Sequence, residues 1–403
     1  MISPHLALHR DLAGLRRGTL RVLTVLVLAL PILLFAVLAV SYTQAILATP
    51  SKYWAPDFEA YRAAALNLLA GRSPFSAHQL AGPFSPIDTG QFNYLYAPAF
   101  AVLFIPLALL PYTAGAVLWV SGQILAVLAA SLLVVRYSGR AIKPLLVFAI
   151  LSFELFFRPT YHIMSDGNIN GLLALFTAIA LAGASPSNRL VAVVLAAMTK
   201  GVHAALLPLT FWRDGWRHSG RAFLALALLG ALSLLLGPGS WLEYPKVLLN
   251  LAGGDANQPY NLSPTIILIN RLPAAAPFWH LAAWTGALAL VLASLYLGRL
   301  LGGWPLAVLC GLCGGLLIPS TLYYPWLLIL WPFVVLVLVQ PGQPAPLRTA
   351  VFAMAVLLSL WEWLSWPALL GCGLLLIWLA LLAWGLRPSC QRRLESRTVQ
   401  DNA

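Results

Sequence analysis

Long apolar runs recur along the chain and are separated by shorter polar segments. The first run covers about 21–41, and no small-residue cleavage site follows it, so we interpret it as a retained anchor. Further runs lie near 113–135, 144–157, 168–184, 221–237, 277–298, 303–319, 324–339, 349–366 and 368–386. Most are long enough for a helix to cross a hydrocarbon core of about 30 Å. The pattern predicts an all-α polytopic membrane protein, a single domain over 1–403 with about 11–12 membrane helices.

Two apolar stretches depart from a simple crossing helix. The stretch 96–111 is short and contains Pro98, Pro106 and Pro111, so we expect a half-inserted or re-entrant helix. The stretch 190–212 is interrupted by Lys200 and His203. It predicts two half-length helices that meet near Lys200.

Polar residues gather in three loops, at about 42–95, 158–168 and 238–276, and in a tail at about 387–403. Seventeen of the 24 basic residues lie at the opposite ends of the runs from these loops or in the two terminal segments. Because cytoplasmic loops are enriched in Lys and Arg, this bias predicts cytoplasmic N and C termini and three outer loops. We expect a multi-pass protein of the cell membrane with its polar chemistry at the outer face.

The composition excludes several classes of protein. Hydrophobic residues make up 61% of the chain and charged residues only 9%, which no water-soluble domain of this size could fold around. Four cysteines in or beside apolar runs imply no disulfide framework. The net charge of +12 follows from the basic loops that face anionic lipid. We therefore expect the lipid bilayer, and no nucleic acid, as a partner.

The first outer loop contains a short helix pattern over 56–75, PDFEAYRAAALNLLAGRSPF. Apolar side chains recur there at helical spacing, Asp57 is placed to cap the first turn, and Gly71 and Pro74 end the run. Such amphipathic helices lie on membrane surfaces. We expect Asp57 where this helix meets the outer mouth of the bundle.

Motifs along most of the chain resemble glycosyltransferase family 87. They are Asp57-Phe58-x-x-Tyr61, Gly71 with Pro74-Phe75, Tyr94-x-Tyr96-Ala97-Pro98, Pro106 to Pro111, Gly167-Asn168-Ile169-Asn170, Lys200, and the loop from Asn257-Gln258 to Arg271. Asn168 stands where the family has glutamine, and Ala97 where it has the first of two prolines.

The resemblance implies a GT-C enzyme that takes a hexose, in the first place mannose, from a polyprenyl phosphate and passes it to a glycan or glycolipid acceptor at the outer face. Asp57 matches the family's base, which would take the proton of the acceptor hydroxyl in a single displacement with inversion. Neither a metal nor a cofactor is expected beyond the donor substrate.

Other candidate residues follow the same reading. A cation is needed to stabilise the leaving phosphate, and Lys200 within an apolar stretch is the most telling candidate. The further donor-phosphate candidates are Arg271, Arg158, His162 and His203. The candidates for the sugar or acceptor site are Tyr61, Tyr96, Asp166, Asn168, Asn170, Asn261 and Tyr323.

Each candidate also has a plain structural reading. Asp57 could serve merely as the cap of its own helix, and Asp166 could cap a helix that begins near Asn168. Lys200 could be a snorkelling lysine at a helix end. Cys310-x-x-Cys313 could be a redox pair, although small-residue helix packing fits its apolar, glycine-rich surroundings better.

Three alternatives to a mannosyltransferase remain open at this stage. The same machinery could use another polyprenyl-phosphate sugar, such as glucose or a pentose. A secondary transporter would use Lys200 and Glu154 in a proton or substrate path, but transporters often show inverted repeats, which this sequence lacks. A membrane scaffold without activity fits the grouped polar residues least.

Overall fold

The computed structural model describes residues 54–84, 93–254, 261–300, 303–317, 322–365 and 367–387, with six positions between 29 and 40. The first apolar run, nearly all of the C-terminal tail and the stretch Asn257–Gln258 fall outside these residues, so the expectations for them stay predictions.

The described residues form seventeen α-helices, labelled here in chain order. They are α1 (Pro56–Leu69), α2 (Ala77–Ala81), α3 (Pro98–Ala108), α4 (Tyr112–Tyr137), α5 (Pro144–Phe156), α6 (Arg158–Asp166), α7 (Asn170–Ala182), α8 (Pro186–Thr199), α9 (Leu207–Asp214), α10 (Gly220–Leu236), α11 (Ser240–Gly254), α12 (Pro264–Arg271), α13 (Ala276–Leu300), α14 (Trp304–Leu317), α15 (Trp331–Val339), α16 (Ala345–Trp363) and α17 (Ala368–Gly385). Four 3₁₀ segments lie at Gly201–Leu206, Trp216–His218, Pro273–Ala275 and Tyr324–Leu330. An isolated β-bridge pairs Asn261 with Tyr323.

Four stretches within the described residues are long and apolar enough to cross a membrane, namely α4, 273–299, most of α16 and α17. Two bent pairs raise the number to six: α5 with α6, bent by 68°, and α10 with α11, bent by 97°. Shorter apolar helices include α3, α7 and α14. The all-α polytopic class is therefore confirmed. The total of about 11–12 membrane helices stays a prediction.

The predicted helix of the first polar loop is present as α1, but it does not lie apart from the bundle. Phe58, Tyr61 and Leu68 are almost fully buried, and the Phe58 ring meets the Phe104 ring of α3 edge to face, with centroids 5.3 Å apart. The aromatic side chains of this face find partners on α3 and become part of the core, and the position of the helix on a membrane surface stays a prediction.

The broken helix predicted near Lys200 is present. The helix α8 ends at Thr199, a 3₁₀ turn follows Lys200, and α9 resumes at Leu207. Gly315 of α14 lies so close to the carbonyl of Val202 that a Cβ atom there would collide with it. Glycines beside Cys313 thus let α14 press against the break, which supports the packing explanation of the cysteine motif.

Two expectations about local structure are corrected. The segment 158–168 is mostly helical rather than a loop, since α6 fills Arg158–Asp166. Neither acidic residue is a cap: no side-chain cap is present at the start of α1 or of α7. The residue before α1 is Ala55, in the left-handed region at φ 54°, and Asp57 is already inside the helix. Asp166 closes α6, and Ile169 precedes α7.

Candidate functional site

The position of Asp57 is set by the turn that leads into α1. The backbone N–H of Ala55 donates to the carbonyl of Ser165 at 2.9 Å, and the indole of Trp54 donates to the carbonyl of Met164 at 2.7 Å. A Cβ at Gly167 would lie 2.9 Å from that of Ala55, so the end of α6 approaches α1 more closely than another residue would permit. These bonds hold the start of α1 against the end of α6.

Two tyrosines pack beneath Asp57. The hydroxyls of Tyr61 and Tyr96 are 2.9 Å apart and share a hydrogen bond, and both side chains are buried. Their rings join those of Phe100 and Trp119 in edge-to-face and tilted contacts. The packing of these rings restricts the orientation of α1 and therefore the direction of the Asp57 side chain.

Lys200 lies at the break between α8 and the 3₁₀ turn. Its ammonium donates to the side-chain oxygen of Asn170 at 3.0 Å and lies 4.1 Å from the centre of the Trp326 ring. The Tyr96 ring is further away, at 6.0 Å. A lysine at such a break needs polar or aromatic partners, and these contacts supply them without an ion pair at contact distance.

Two buried amides beside Lys200 keep unused donors. Asn168 accepts the backbone N–H of Asn170 through its side-chain oxygen, and Asn170 accepts from Lys200. The side-chain nitrogens of both asparagines have no hydrogen-bond partner within the described protein. A buried donor without a protein partner is open to water, an ion or a ligand, so this pair beside Lys200 is a candidate for binding an oxygen-rich group.

The surroundings of Asp57 favour its protonated form. Burial raises the pKa of Asp57 above its ordinary value, and the charge of Asp166 raises this pKa further. The positive charges of Lys200 and His162 and a hydrogen bond from Tyr61 lower the pKa in part. The net result is a carboxylate with a greater affinity for a proton than a solvated aspartate has.

A chain of charged side chains leads away from Asp166. The imidazole of His162 lies 2.7 Å from Asp166 through Nδ1 and 2.5 Å from Glu362 of α16 through Nε2. Glu362 in turn is 3.3 Å from the guanidinium of Arg158, which stacks 4.0 Å over the Tyr161 ring. The chain ties α6 to α16.

The predicted site residues separate into two sets. The contacts and charge interactions described above bring together one set, which we call the Asp57 cluster: Asp57, Tyr61, Tyr96, Asp166, Asn168, Asn170 and Lys200.

The other predicted residues lie differently. Arg158 pairs with Glu362, and His203 is buried with its Nε2 3.0 Å from Thr177. Arg271 is exposed at the end of α12, and nothing in the described residues joins it to the Asp57 cluster.

Asn261 and Tyr323 meet each other. They form the isolated β-bridge, and the side-chain oxygen of Asn261 accepts from the backbone N–H of Leu322 at 2.9 Å and of Ser263 at 3.0 Å. Asn261 is buried, so this amide fastens two loops together.

Sequence reasoning missed two residues of this region. Nothing in the sequence distinguished Trp326 from the many other aromatic residues near membrane interfaces. Glu362 did carry one, because an acidic residue inside an apolar run is costly and usually has a specific partner.

Asp57 belongs to no metal-binding group among the described residues and lines neither of two cavities. Within the described residues, no group of three or more acidic, histidine or cysteine side chains could hold a metal ion. Two cavities of about 360 and 280 Å³ lie elsewhere, the first lined by residues such as Phe176 and Asn188, the second by residues such as Trp212 and Arg299.

Comparison with known proteins gives one match. The family model of glycosyltransferase family 87 matches residues 94–325, and no curated protein and no solved structure matches. The matched segment includes Tyr96, Asp166 and Lys200 and begins after Asp57. Because the match covers more than half of the 403 residues, and because the fold is an all-α bundle with several candidate membrane spans, this chain is a membrane glycosyltransferase that belongs to family 87.

Proposed function

We propose that the protein transfers a hexosyl unit, in the first instance mannose, from a polyprenyl-phosphate carrier to a hydroxyl of a glycan or glycolipid acceptor. The observation that carries this proposal is the juxtaposition of a base with an anion site. A carboxylate of raised proton affinity, Asp57, interacts with the ammonium of Lys200, and the unused amide donors of Asn168 and Asn170 lie beside that ammonium.

Asp57 supplies the general base. An acceptor hydroxyl is a poor nucleophile until its proton is accepted, and a carboxylate of raised pKa accepts it more readily. The acceptor oxygen forms a bond to the anomeric carbon of the sugar. The bond from that carbon to the phosphate oxygen breaks, its electron pair stays on the phosphate, and the proton ends on Asp57. One displacement of this kind inverts the anomeric configuration.

Lys200 supplies the charge that the leaving phosphate needs. Negative charge grows on the phosphate as the bond breaks, and a pre-positioned ammonium lowers the energy of that state. The Trp326 face and the Asn170 oxygen hold the ammonium in place without neutralising it. It therefore remains available to an incoming anion.

The amides and Asp166 would recognise the sugar or the acceptor. Sugar hydroxyls both donate and accept, so they match the unused nitrogens of Asn168 and Asn170 and the carboxylate of Asp166. Tyr61 and Tyr96 contribute differently from the sequence expectation, because they are buried and bonded to each other. Their role in this proposal is to support Asp57 from below.

The other predicted cations are weaker candidates for binding the donor phosphate than the sequence suggested. Arg158 pairs with Glu362, and Nε2 of His203 lies 3.0 Å from Thr177, although Nδ1 of His203 has no partner in the described protein. Arg271 could reach a donor only if the donor extends to the end of α12. We therefore assign the phosphate to Lys200 first.

We also propose that the Asp57 cluster faces the outer side of the cell membrane and that both termini are cytoplasmic. This rests on the seventeen-to-seven division of the basic residues, with Lys200 and Arg158 on the side of the minority. A carrier lipid in the same bilayer would then meet the site from within the membrane.

The transporter alternative receives no support from the geometry. Glu154 accepts hydrogen bonds from Ser131 and Trp331 in the core, and no contact within the described residues joins it to Lys200. These bonds make Glu154 part of the packing between α4, α5 and α15.

The test uses the purified full chain in lipid vesicles. Polyprenyl-phosphate mannose, glucose and a pentose, each radiolabelled, are offered with a lipid-linked glycan, and label in the glycan is counted. We expect transfer of mannose by the wild type and none by Asp57→Asn. Preferred transfer of glucose or the pentose would change the proposed identity of the donor sugar and leave the proposed mechanism intact. Equal transfer by wild type and Asp57→Asn would overturn the assignment of the base.

A further inference from the structure

A glutamate of the C-terminal helices reaches the Asp57 cluster through one histidine. Glu362 lies near the end of α16, beyond the last residue that the family model matches. Its side chain is only 8% exposed, although it carries a carboxylate. Burial of an acidic group is costly unless its charge is compensated, so the partners of Glu362 explain why it is there.

The partners form an alternating series of charges. Arg158 lies 3.3 Å from one oxygen of Glu362, and Nε2 of His162 lies 2.5 Å from the other. Nδ1 of His162 then lies 2.7 Å from Asp166. The order is positive, negative, positive, negative, and each member touches the next.

The geometry specifies the protonation of His162. An ionised carboxylate only accepts hydrogen bonds, and a neutral imidazole has one N–H and one bare nitrogen. Because both ring nitrogens of His162 face carboxylate oxygens at hydrogen-bond distance, both carry a proton when the two carboxylates are ionised. Glu362 therefore stabilises the imidazolium form, which donates to Asp166.

Asp166 needs such an anchor. It closes α6 next to Gly167, whose φ of +68° turns the chain toward Asn168. The Asp166 carboxylate is also close enough to Asp57 to raise the pKa of that group. A carboxylate that repels its neighbour keeps its place only if something holds it from the other side. His162 does so together with the hydroxyl of Ser165, which donates to the other oxygen of Asp166 at 2.7 Å. Glu362, which pairs with Arg158, in turn fixes His162.

We propose that Glu362 is a positioning residue of the transfer site: through the imidazolium of His162 it holds Asp166 beside Asp57. This inference rests on the proposed function for its effect on the rate. It makes the C-terminal helix α16 part of the site, although no residue of α16 is expected to touch the substrate.

The charged and titratable groups around His162 must be considered together. They are Asp166 and Arg158 on its own helix, Glu362 on α16, the Tyr324 ring at 6.3 Å, the adjacent Tyr161, and Asp57, whose pKa the His162 charge lowers. Glu362→Gln keeps an oxygen that can accept from Nε2–H but removes the negative charge that stabilises the imidazolium, so His162 can become neutral. Asp57 then loses a neighbouring positive charge.

The first experiment measures transfer as a function of pH for wild type, Glu362→Gln and Glu154→Gln. We expect Glu362→Gln to lower kcat about 10–100-fold, as is typical when the partner that orients a functional group is lost, and to move the acid limb to higher pH. Glu154→Gln is the matched control, because Glu154 is also a buried glutamate of an apolar helix but bonds to Ser131 and Trp331. Its pH profile should equal that of the wild type.

The second measurement does not depend on activity. In protein labelled with ¹⁵N-histidine, the ring signals of His162, assigned by their loss in His162→Gln, should show two protonated nitrogens at neutral pH. They should become those of a neutral ring in Glu362→Gln. A neutral ring in the wild type, or an imidazolium that survives Glu362→Gln, overturns the proposal whatever the substrate is. Loss of activity in Asp57→Asn with an unchanged profile in Glu362→Gln would overturn it and leave the proposed function intact.

Discussion

Two places in this protein combine buried acidic and basic side chains, and they are built differently. At the ends of α8 and α9, Arg189 holds both oxygens of Asp214 and donates to the carbonyl of Gly183. In the Asp57 cluster, Lys200 has one amide oxygen and one indole face, and two nearby amide nitrogens have no partner in the described protein.

We interpret the Arg189–Asp214 pair as a structural contact and the Asp57 cluster as a binding site. The guanidinium of Arg189 and the carboxylate of Asp214 satisfy each other. Removal of either group alone therefore leaves the other as an unpaired buried charge. Lys200 retains unsatisfied capacity, as do Asn168 and Asn170. A site that must accept and release an anion needs donors that the protein itself has not used.

The largest effect is expected from Asp57→Asn. General acid–base groups contribute about 10²–10⁴-fold to a rate, and an amide cannot accept the proton, so transfer should fall by that factor. The measurement is initial transfer of labelled sugar at saturating donor. Glu59→Gln is the matched control, since Glu59 lies in the same first turn of α1 and has no part in the cluster. An equal loss in both variants would contradict a specific role of Asp57.

Asp214→Ala tests the other region. Breaking a buried ion pair costs about 3–5 kcal/mol because the remaining charge has no partner, so the midpoint of thermal unfolding in detergent should drop markedly. The donor KM of the folded fraction should not change. If the variant fails to fold, Arg189→Lys gives a milder test, because a lysine cannot make the bidentate contact. A raised donor KM with normal stability would show that the pair belongs to the substrate site.

Lys200→Met should show the opposite combination. The lost charged contact to the phosphate is worth about 1.5–3 kcal/mol, which corresponds to roughly a 10–150-fold lower kcat/KM for the donor. Stability should be unchanged or slightly higher, since an incompletely paired buried charge is replaced by an apolar side chain of similar length. The measurement combines donor and acceptor kinetics with the same unfolding assay. A change in acceptor KM alone would remove Lys200 from the phosphate site.

The smallest effect concerns pH. The base works only when it is ionised, and burial and Asp166 raise the pKa of Asp57. Transfer should therefore fall as the pH drops through a value well above the ~4 of a free aspartate. Asp166→Asn removes the like charge and should move this limb down by about one pH unit. Lys200, His162 and Tyr61 also face Asp57, so their variants must not be combined with this one. A limb near pH 4 in the wild type would contradict the raised pKa.

The fold class could be predicted because it follows from the length and spacing of apolar runs. The break at Lys200 was equally visible, since a lysine and a histidine interrupt an apolar stretch there. The helical nature of 158–166 was not, because RPTYHIMSD is polar and short and its helix is stabilised by contacts with α1 and α16.

The composition of the site was only partly accessible from the sequence. Motif residues such as Asp57 and Asn170 could be named one by one, but their meeting depends on close helix contacts at Gly167 and Gly315. The burial of Tyr61 and its hydrogen bond to Tyr96 could not be predicted from the spacing of the motifs. Glu362 and His162 are 200 residues apart in the sequence, and only the folded chain shows that they are in contact.

The most direct test of the account compares Asp57→Asn and Asp214→Ala in one transfer assay at equal amounts of folded protein. We expect Asp57→Asn to unfold like the wild type and to transfer sugar about 10²–10⁴-fold more slowly, whereas Asp214→Ala should be less stable but transfer at the wild-type rate. Wild-type transfer by Asp57→Asn, or loss of transfer in folded Asp214→Ala, would contradict the assignment of Asp57 as the base and of the Arg189–Asp214 pair as structural.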